Sequence, residues 1–117
     1  MASRMLTHEI SILEASLCSA LAEPTRLLIL YALNKKSLNV TGISNELEIP
    51  QPNVSRHLKV LRESGLVNTT RQGSSIVYRL ANRKVIEALD LLQCVLLASI
   101  QYQDSLIREF STSGWQP

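Results

Sequence analysis

Cysteine, glycine, proline and aromatic residues are all scarce in this chain, and each shortage closes off a class of protein. The two cysteines, Cys18 and Cys94, lie far apart without CxxC spacing, so neither a zinc ribbon nor a disulfide scaffold is indicated, and the pattern suits a reducing cytoplasm. Four glycines and four prolines in 117 residues exclude a collagen-like or low-complexity chain. With one Phe and one Trp, aliphatic packing must dominate the core. The histidines, His8 and His57, have no carboxylate or nucleophile at catalytic spacing, and HExxH and a glycine-rich phosphate loop are missing; an enzyme is not expected. No cationic segment precedes an apolar one at the start, and the most apolar region, Val85 to Ile100, is interrupted by Glu87, Asp90 and Gln93. Neither a signal peptide nor a membrane span is therefore expected.

What is present is unevenly distributed. Residues 51–84 carry seven cations (Arg56, Lys59, Arg62, Arg71, Arg79, Arg83, Lys84) against one acid, Glu63, a local net of +6. The remainder carries five cations against nine acids, −4. Clustered Lys and Arg beside an acidic remainder are what a polyanion-binding face needs, although a merely solvated surface could have the same composition.

That block contains QPNVSRHLKVLRESGLV, Gln51 to Val67. Val54, Leu58 and Leu61 recur at helical spacing on one side, with Ser55, Arg56 and Lys59 on the other. Gly65 follows the last apolar position and can take the left-handed conformation that ends a helix, with Leu66 making the accompanying apolar contact.

Upstream, Thr7 can cap a first helix, about 7–22, whose stripe is Ile10, Leu13, Leu17 and Leu21, with Cys18 at its edge. In LAEPTRLLIL, Pro24 starts a second helix whose buried side is Leu27, Leu28, Leu30 and Tyr31. Asn34 to Asn39 reads as a loop, and a third short helix starts near Thr41. Downstream, LVNTTRQGSSIVYRL is rich in β-branched residues around Gln72, Gly73 and Ser74, which predicts a hairpin over 66–80 with Arg71 and Arg79 on its arms. Asn82 can cap a long last helix to about Phe110, apolar around most of its circumference and in need of partners on two sides. One is the chain's own core; the other is most simply a second copy, through a two-fold interface. The tail is expected to be loose, with Trp115 available to dock.

Four helices, a hairpin and a fifth helix make a mainly α winged helix-turn-helix, one domain over 1–117, with the helix-turn-helix at 40–64 and the wing at 66–80. LAEPTRLLIL, VSRHLKVLRESGLV and RQGSSIVYRL, in this order and at these separations, resemble the ArsR/SmtB family of small dimeric bacterial repressors over residues 19–82. The resemblance implies a homodimer formed through the first and last helices (7–22 and 82–110), a fourth helix in the major groove of operator DNA, a wing on the flanking backbone, and release by an inducer. By position, Gln51, Pro52, Asn53, Ser55 and Arg56 fall where the family meets bases and phosphates, with Lys59 nearby, Arg71 on the wing, and Gln72 and Gly73 at its tip. The chemistry agrees: Asn and Gln can pair bidentately with adenine, and Arg with guanine. His57 lies on the helix flank, where it can pack and support backbone or sense pH.

Three departures matter. Pro50 stands where many relatives have a capping serine, and Glu48 where they often have a turn glycine, so the turn is expected to be reshaped or strained. The family's thiolate metal site corresponds to Asn39 and Thr41, and its last-helix site to Asn82, Lys84, Val95 and Ala98; neither ligand set is present, so no metal and no other cofactor is expected. The dithiol of the family's persulfide sensors corresponds to Tyr31 and about Leu97. Cys18 and Cys94 read first as small apolar core residues. The sharper alternative is a thiol switch in which oxidation or persulfidation links them. A repressor or activator answering to an organic ligand, and a winged-helix module that binds protein instead of DNA, remain rival readings.

Overall fold

The computed structural model describes residues 4–112, with side chains described for 6–109. Its elements in order are α1 (Arg4–Leu21), α2 (Pro24–Lys35), β1 (Leu38–Asn39), α3 (Val40–Leu47), α4 (Gln51–Glu63), β2 (Val67–Gln72), β3 (Ser75–Leu80) and α5 (Lys84–Thr112). The chain divides into one compact unit ending at Arg83 and a second that begins with α5.

In the first unit the core is aliphatic, as one Phe and one Trp require. Ile29 and Leu30 of α2, Ile43 of α3, and Val54, Leu58 and Leu61 of α4 have no solvent exposure, and Val67 of β2 is buried beside them. Full burial of such side chains contributes about 1.5–3 kcal/mol each, so these contacts hold the helix-turn-helix together. On α2 the buried set is Ile29, Leu30, Ala32 and Leu33; Leu28, expected inside, is exposed.

Local chemistry sets the helix ends. Glu23 caps α2, its carboxylate accepting from the Arg26 N–H at 3.0 Å, and Pro24 occupies the first turn as expected. Asn39 caps α3, so that helix begins at Val40. Thr7 is no cap: α1 starts at Arg4, and the Thr7 carbonyl lies inside it, accepting from the Ser11 hydroxyl. At the end of α4, Gly65 takes φ 75°, the Leu66 N–H reaches the Leu61 carbonyl at 2.9 Å, and the Gly65 N–H reaches the Arg62 carbonyl. This is a Schellman ending, closed by the buried pair Leu61 and Leu66.

The sheet order is β1-β3-β2, all antiparallel. Part of the expected loop is thus a strand: Leu38 and Asn39 pair with Tyr78 and Val77. Asn39 reinforces the join, its amide donating to Ser75 Oγ at 3.0 Å. Between β2 and β3 the two-residue turn is Gly73-Ser74, with Gly73 at φ 63°, a position that favours glycine.

α5 begins at Lys84, a residue later than expected. Ile86 and Leu89 are buried, and every residue from Asp90 to Ser105 is exposed. By length and composition alone Lys84–Glu109 could cross a membrane. Its uncharged stretch is only Leu91 to Gln103, about 20 Å at the α-helical rise and short of the roughly 30 Å hydrocarbon core. Trp115 lies outside the described residues.

Candidate nucleic-acid interface

Helix α4 separates its chemistry by face. Val54, Leu58 and Leu61 are wholly buried, while Gln51, Pro52, Asn53, Ser55, Arg56 and Lys59 are all exposed. The helical period placed Ser55, Arg56 and Lys59 opposite the apolar side, and all three are exposed.

The turn that delivers α4 carries the expected irregularities. Glu48 ends α3 at φ 56°, and among the described residues it alone has positive φ without being glycine. Such a conformation costs on the order of 1 kcal/mol unless neighbours hold it. Here Ser44 holds it: its carbonyl accepts from the Glu48 and Ile49 N–H groups, and its hydroxyl donates to the Ile49 carbonyl. Pro50 offers no side-chain cap to α4; its carbonyl accepts from Asn53 at 3.0 Å and Val54 at 3.1 Å. The Gln51 amide donates to Thr41 Oγ1 at 3.4 Å, an exposed contact.

The wing register assigns each of its residues a face. Arg71 sits opposite Ile76 and shares a face with Thr69 and Val67; Gln72 shares the other with Asn68 and Thr70. Arg79 is opposite Asn68, on the face away from Arg71, so the two arginines do not act together. Arg71, Gln72 and Gly73 are exposed.

Arg56, Lys59, Arg62 and Arg71 form no ion pair among the described residues. Exposed cations without internal partners keep their full field for an external anion. Three residues outside the expected set, Arg62, Glu63 and Tyr78, lie beside Ser55 and Lys59. A groove of about 500 Å³ between α4 and β3 is lined by Ser55, Lys59, Arg62, Glu63 and Tyr78. Arg62 was legible, three positions after Lys59 on the same stripe; Tyr78 needed the strand register.

The remaining expected positions have other duties. Asn39, where the family resemblance puts a metal ligand, uses both ends of its amide to cap α3 and to bond Ser75. No group of three His, Cys, Asp or Glu side chains close enough to hold a metal occurs among the described residues. Cys18 and Cys94 are both exposed, which overturns the expectation of core cysteines. His57 is nearly buried, 3.3 Å from Arg26 through Nδ1 and 3.8 Å from Glu23 through Nε2. Partial burial pulls the Glu23 carboxyl upward, but the Arg26 N–H, His57, the Thr25 N–H and the Arg26 charge together outweigh it and hold the group below its ordinary value.

Residues 23–69 match the profile of the bacterial regulatory protein arsR family. A biofilm growth-associated repressor of Agrobacterium fabrum is 37% identical over 84 residues, 72% of each chain. The crystal structure of NolR from Sinorhizobium fredii is 34% identical with a TM-score of 0.70, covering 81% of this chain and 94% of that one. A homodimeric winged helix-turn-helix DNA-binding domain from Mycobacterium bovis superposes with a TM-score of 0.74 at 26% identity, over 87% of this chain and 93% of its own.

Proposed function

This chain belongs to the arsR family of bacterial regulatory proteins, and on that premise we propose that it is a homodimeric transcriptional repressor. In this reading α4 enters the major groove of operator DNA and the wing touches the flanking backbone. The observation that carries it is the division of α4: a wholly buried aliphatic side opposite an exposed side of amides, hydroxyls and cations outside any internal ion pair.

The site residues then take distinct roles. Gln51, Asn53 and Arg56 have the hydrogen-bonding patterns that read base edges, and Pro52 sits in the first turn, where no intrahelical partner for an N–H is lost. Ser55, Lys59 and Arg71, with Gln72 and Gly73 at the wing tip, meet phosphate and sugar. Dimerisation falls to α1 and α5, whose aliphatic residues are exposed in the single chain.

The test is equilibrium binding to a duplex that the protein selects from a randomised pool, and to a scrambled duplex of the same composition, across a salt series. Arg56→Ala is expected to weaken the selected duplex by about 1–3 kcal/mol and to narrow its advantage over the scrambled one. Arg71→Ala is expected to weaken both about equally and to reduce the salt slope by about 1. Equal loss on both duplexes for Arg56→Ala refutes its role as a reader. A parent protein with no salt-dependent duplex binding refutes the DNA reading in favour of a protein-binding winged helix.

For release, two free thiols, Cys18 and Cys94, on the helices assigned to dimerisation, and no group of three metal-ligating side chains among the described residues, favour a thiol signal over a metal. Peroxide, persulfide or diamide should then weaken duplex binding by the parent and leave a Cys18→Ser, Cys94→Ser variant unaffected. An equal response from both shifts the assignment to an organic inducer.

A further inference from the structure

His57 is the polar member of the inward side of α4, and its partners come from a different part of the fold. Arg26, on α2, spends its guanidinium on three acceptors in two other elements: Nε donates to the Ala20 carbonyl and Nη2 to the Ser19 carbonyl, both in the last turn of α1, while Nη1 faces His57 Nδ1 of α4 at 3.3 Å. The last carbonyls of a helix lack intrahelical donors, so Arg26 supplies what the end of α1 needs and complements its dipole. An arginine has only donors, so in its contact with Nη1 it is Nδ1 that accepts, which leaves Nε2 as the ring's donor. Nε2 faces the Glu23 carboxylate at 3.8 Å, and that same oxygen caps α2 by accepting from the Arg26 N–H at 3.0 Å.

We propose that His57 is a positioning residue for DNA reading: Arg26 and Glu23 hold it at the corner where α1 ends and α2 begins, and so fix the rotation and height of α4 beneath Arg56. The apolar contacts of Val54, Leu58 and Leu61 bury area but are non-directional, so small sliding or rolling of α4 is weakly resisted by them. Hydrogen bonds lose strength steeply with angle and distance, so the Arg26–His57 contact at 3.3 Å resists that motion, while the Glu23 carboxylate at 3.8 Å adds a longer-range attraction. Arg56 is the next residue back, and any shift of the His57 backbone moves its guanidinium relative to a base edge. The same node binds the end of α1, whose exposed Ile10 and Leu13 belong to the surface assigned above to a second copy. Seating of α1 in a dimer and the pitch of the reading helix are therefore mechanically joined.

This inference rests on the DNA-binding reading, and one experiment separates their failures. The parent, His57→Ala, His57→Gln and Arg26→Lys are titrated against the selected and scrambled duplexes across salt, with thermal unfolding followed in parallel and active concentrations fixed by stoichiometric titration. A glutamine can accept from Arg26 through Oε1 and donate toward Glu23 through Nε2, so it preserves this pattern of one acceptor and one donor. A lysine keeps the charge but cannot reach three acceptors in a fork. His57→Ala and Arg26→Lys are expected to bind the selected duplex about fivefold to tenfold more weakly, with the scrambled duplex little changed and the salt slope intact. His57→Gln is expected to recover binding to within about threefold of the parent. The proposal is overturned if folded His57→Ala binds like the parent, if His57→Gln fails as badly as His57→Ala, or if the loss comes with a salt slope lower by about 1, which marks a direct phosphate contact. A parent that binds no duplex overturns the DNA reading and this proposal together.

Discussion

Val54, Leu58 and Leu61 of α4 have no solvent exposure at all, whereas six aliphatic residues of α5, from Leu91 to Ile100, are each more than half exposed. Both helices are amphipathic or apolar in sequence, yet only α4 meets its apolar requirement within its own unit. Its outward side is consequently left to polar groups and can serve a charged ligand. α5 from Leu91 to Gln103 has no charge to offer and a large apolar surface to cover. In the homodimer proposed above, a two-fold copy supplies a matching apolar surface for this face.

The largest expected effect comes from breaking the finished side. Leu58→Ala should lower unfolding stability by about 2–5 kcal/mol in denaturant titration, since it opens a cavity in a wholly buried site. Leu96→Ala in α5, also a loss of three carbons, should change the stability of the isolated protomer by less than about 0.5 kcal/mol, because that side chain is 58% exposed. Comparable losses at the two sites would show that α5 is covered within the protomer.

Next is the open side. Leu92→Glu with Leu96→Glu places two charges in the face assigned to the second copy, and should weaken self-association by about 2–3 kcal/mol, read as a shift from dimer to monomer in sedimentation. Operator binding should fall with it, because half-sites are read in pairs. An unchanged dimer would move the interface off this face.

The contrast between the two helices also explains what could be read in advance. The 3.6-residue period of Val54, Leu58 and Leu61 specified both the buried and the exposed side of α4, because for a surface helix packed in a core those two sides are complementary. Periodicity in α5 identified apolar residues but carried no information about what covers them. Residue-type preference misplaced Cys18 and Cys94, since cysteine is usually buried and these lie on the two helices whose apolar surface is uncovered. β1 was illegible for another reason: two residues make no pattern, and its partners on β3 are about forty positions away. The role of His57 was hidden in the same way, since Arg26 and Glu23 lie more than thirty residues upstream.

A smaller effect tests the end of α4. At Gly65→Ala no atom lies within 4 Å of the added carbon, so the substitution isolates the cost of φ 75° for a residue with a side chain. A loss of about 1–2 kcal/mol is expected in denaturant titration, with dimer strength unchanged. A change below about 0.3 kcal/mol would mean that the helix end relaxes without strain.

The smallest effect concerns the charge on the inward side of α4. Glu23 has its carboxyl held below the ordinary value, so the folded protein binds fewer protons here than the unfolded chain does as pH falls through the acid range. Its contribution is therefore fully present above the unfolded value and is lost as pH falls through the depressed folded one. Glu23→Gln keeps an oxygen able to cap α2 from the Arg26 N–H but removes the charge facing His57. In paired denaturant titrations the parent should be modestly more stable than Glu23→Gln near neutrality, and the difference should shrink as the pH is lowered through the carboxylate range. The Glu23 side chain is about a third exposed and the contact is screened, so added salt should reduce the difference near neutrality as well. A difference that grows on acidification would reverse the sign and place the stabilising form of Glu23 in its protonated state, leaving α4 with no charged anchor at the corner of α1 and α2.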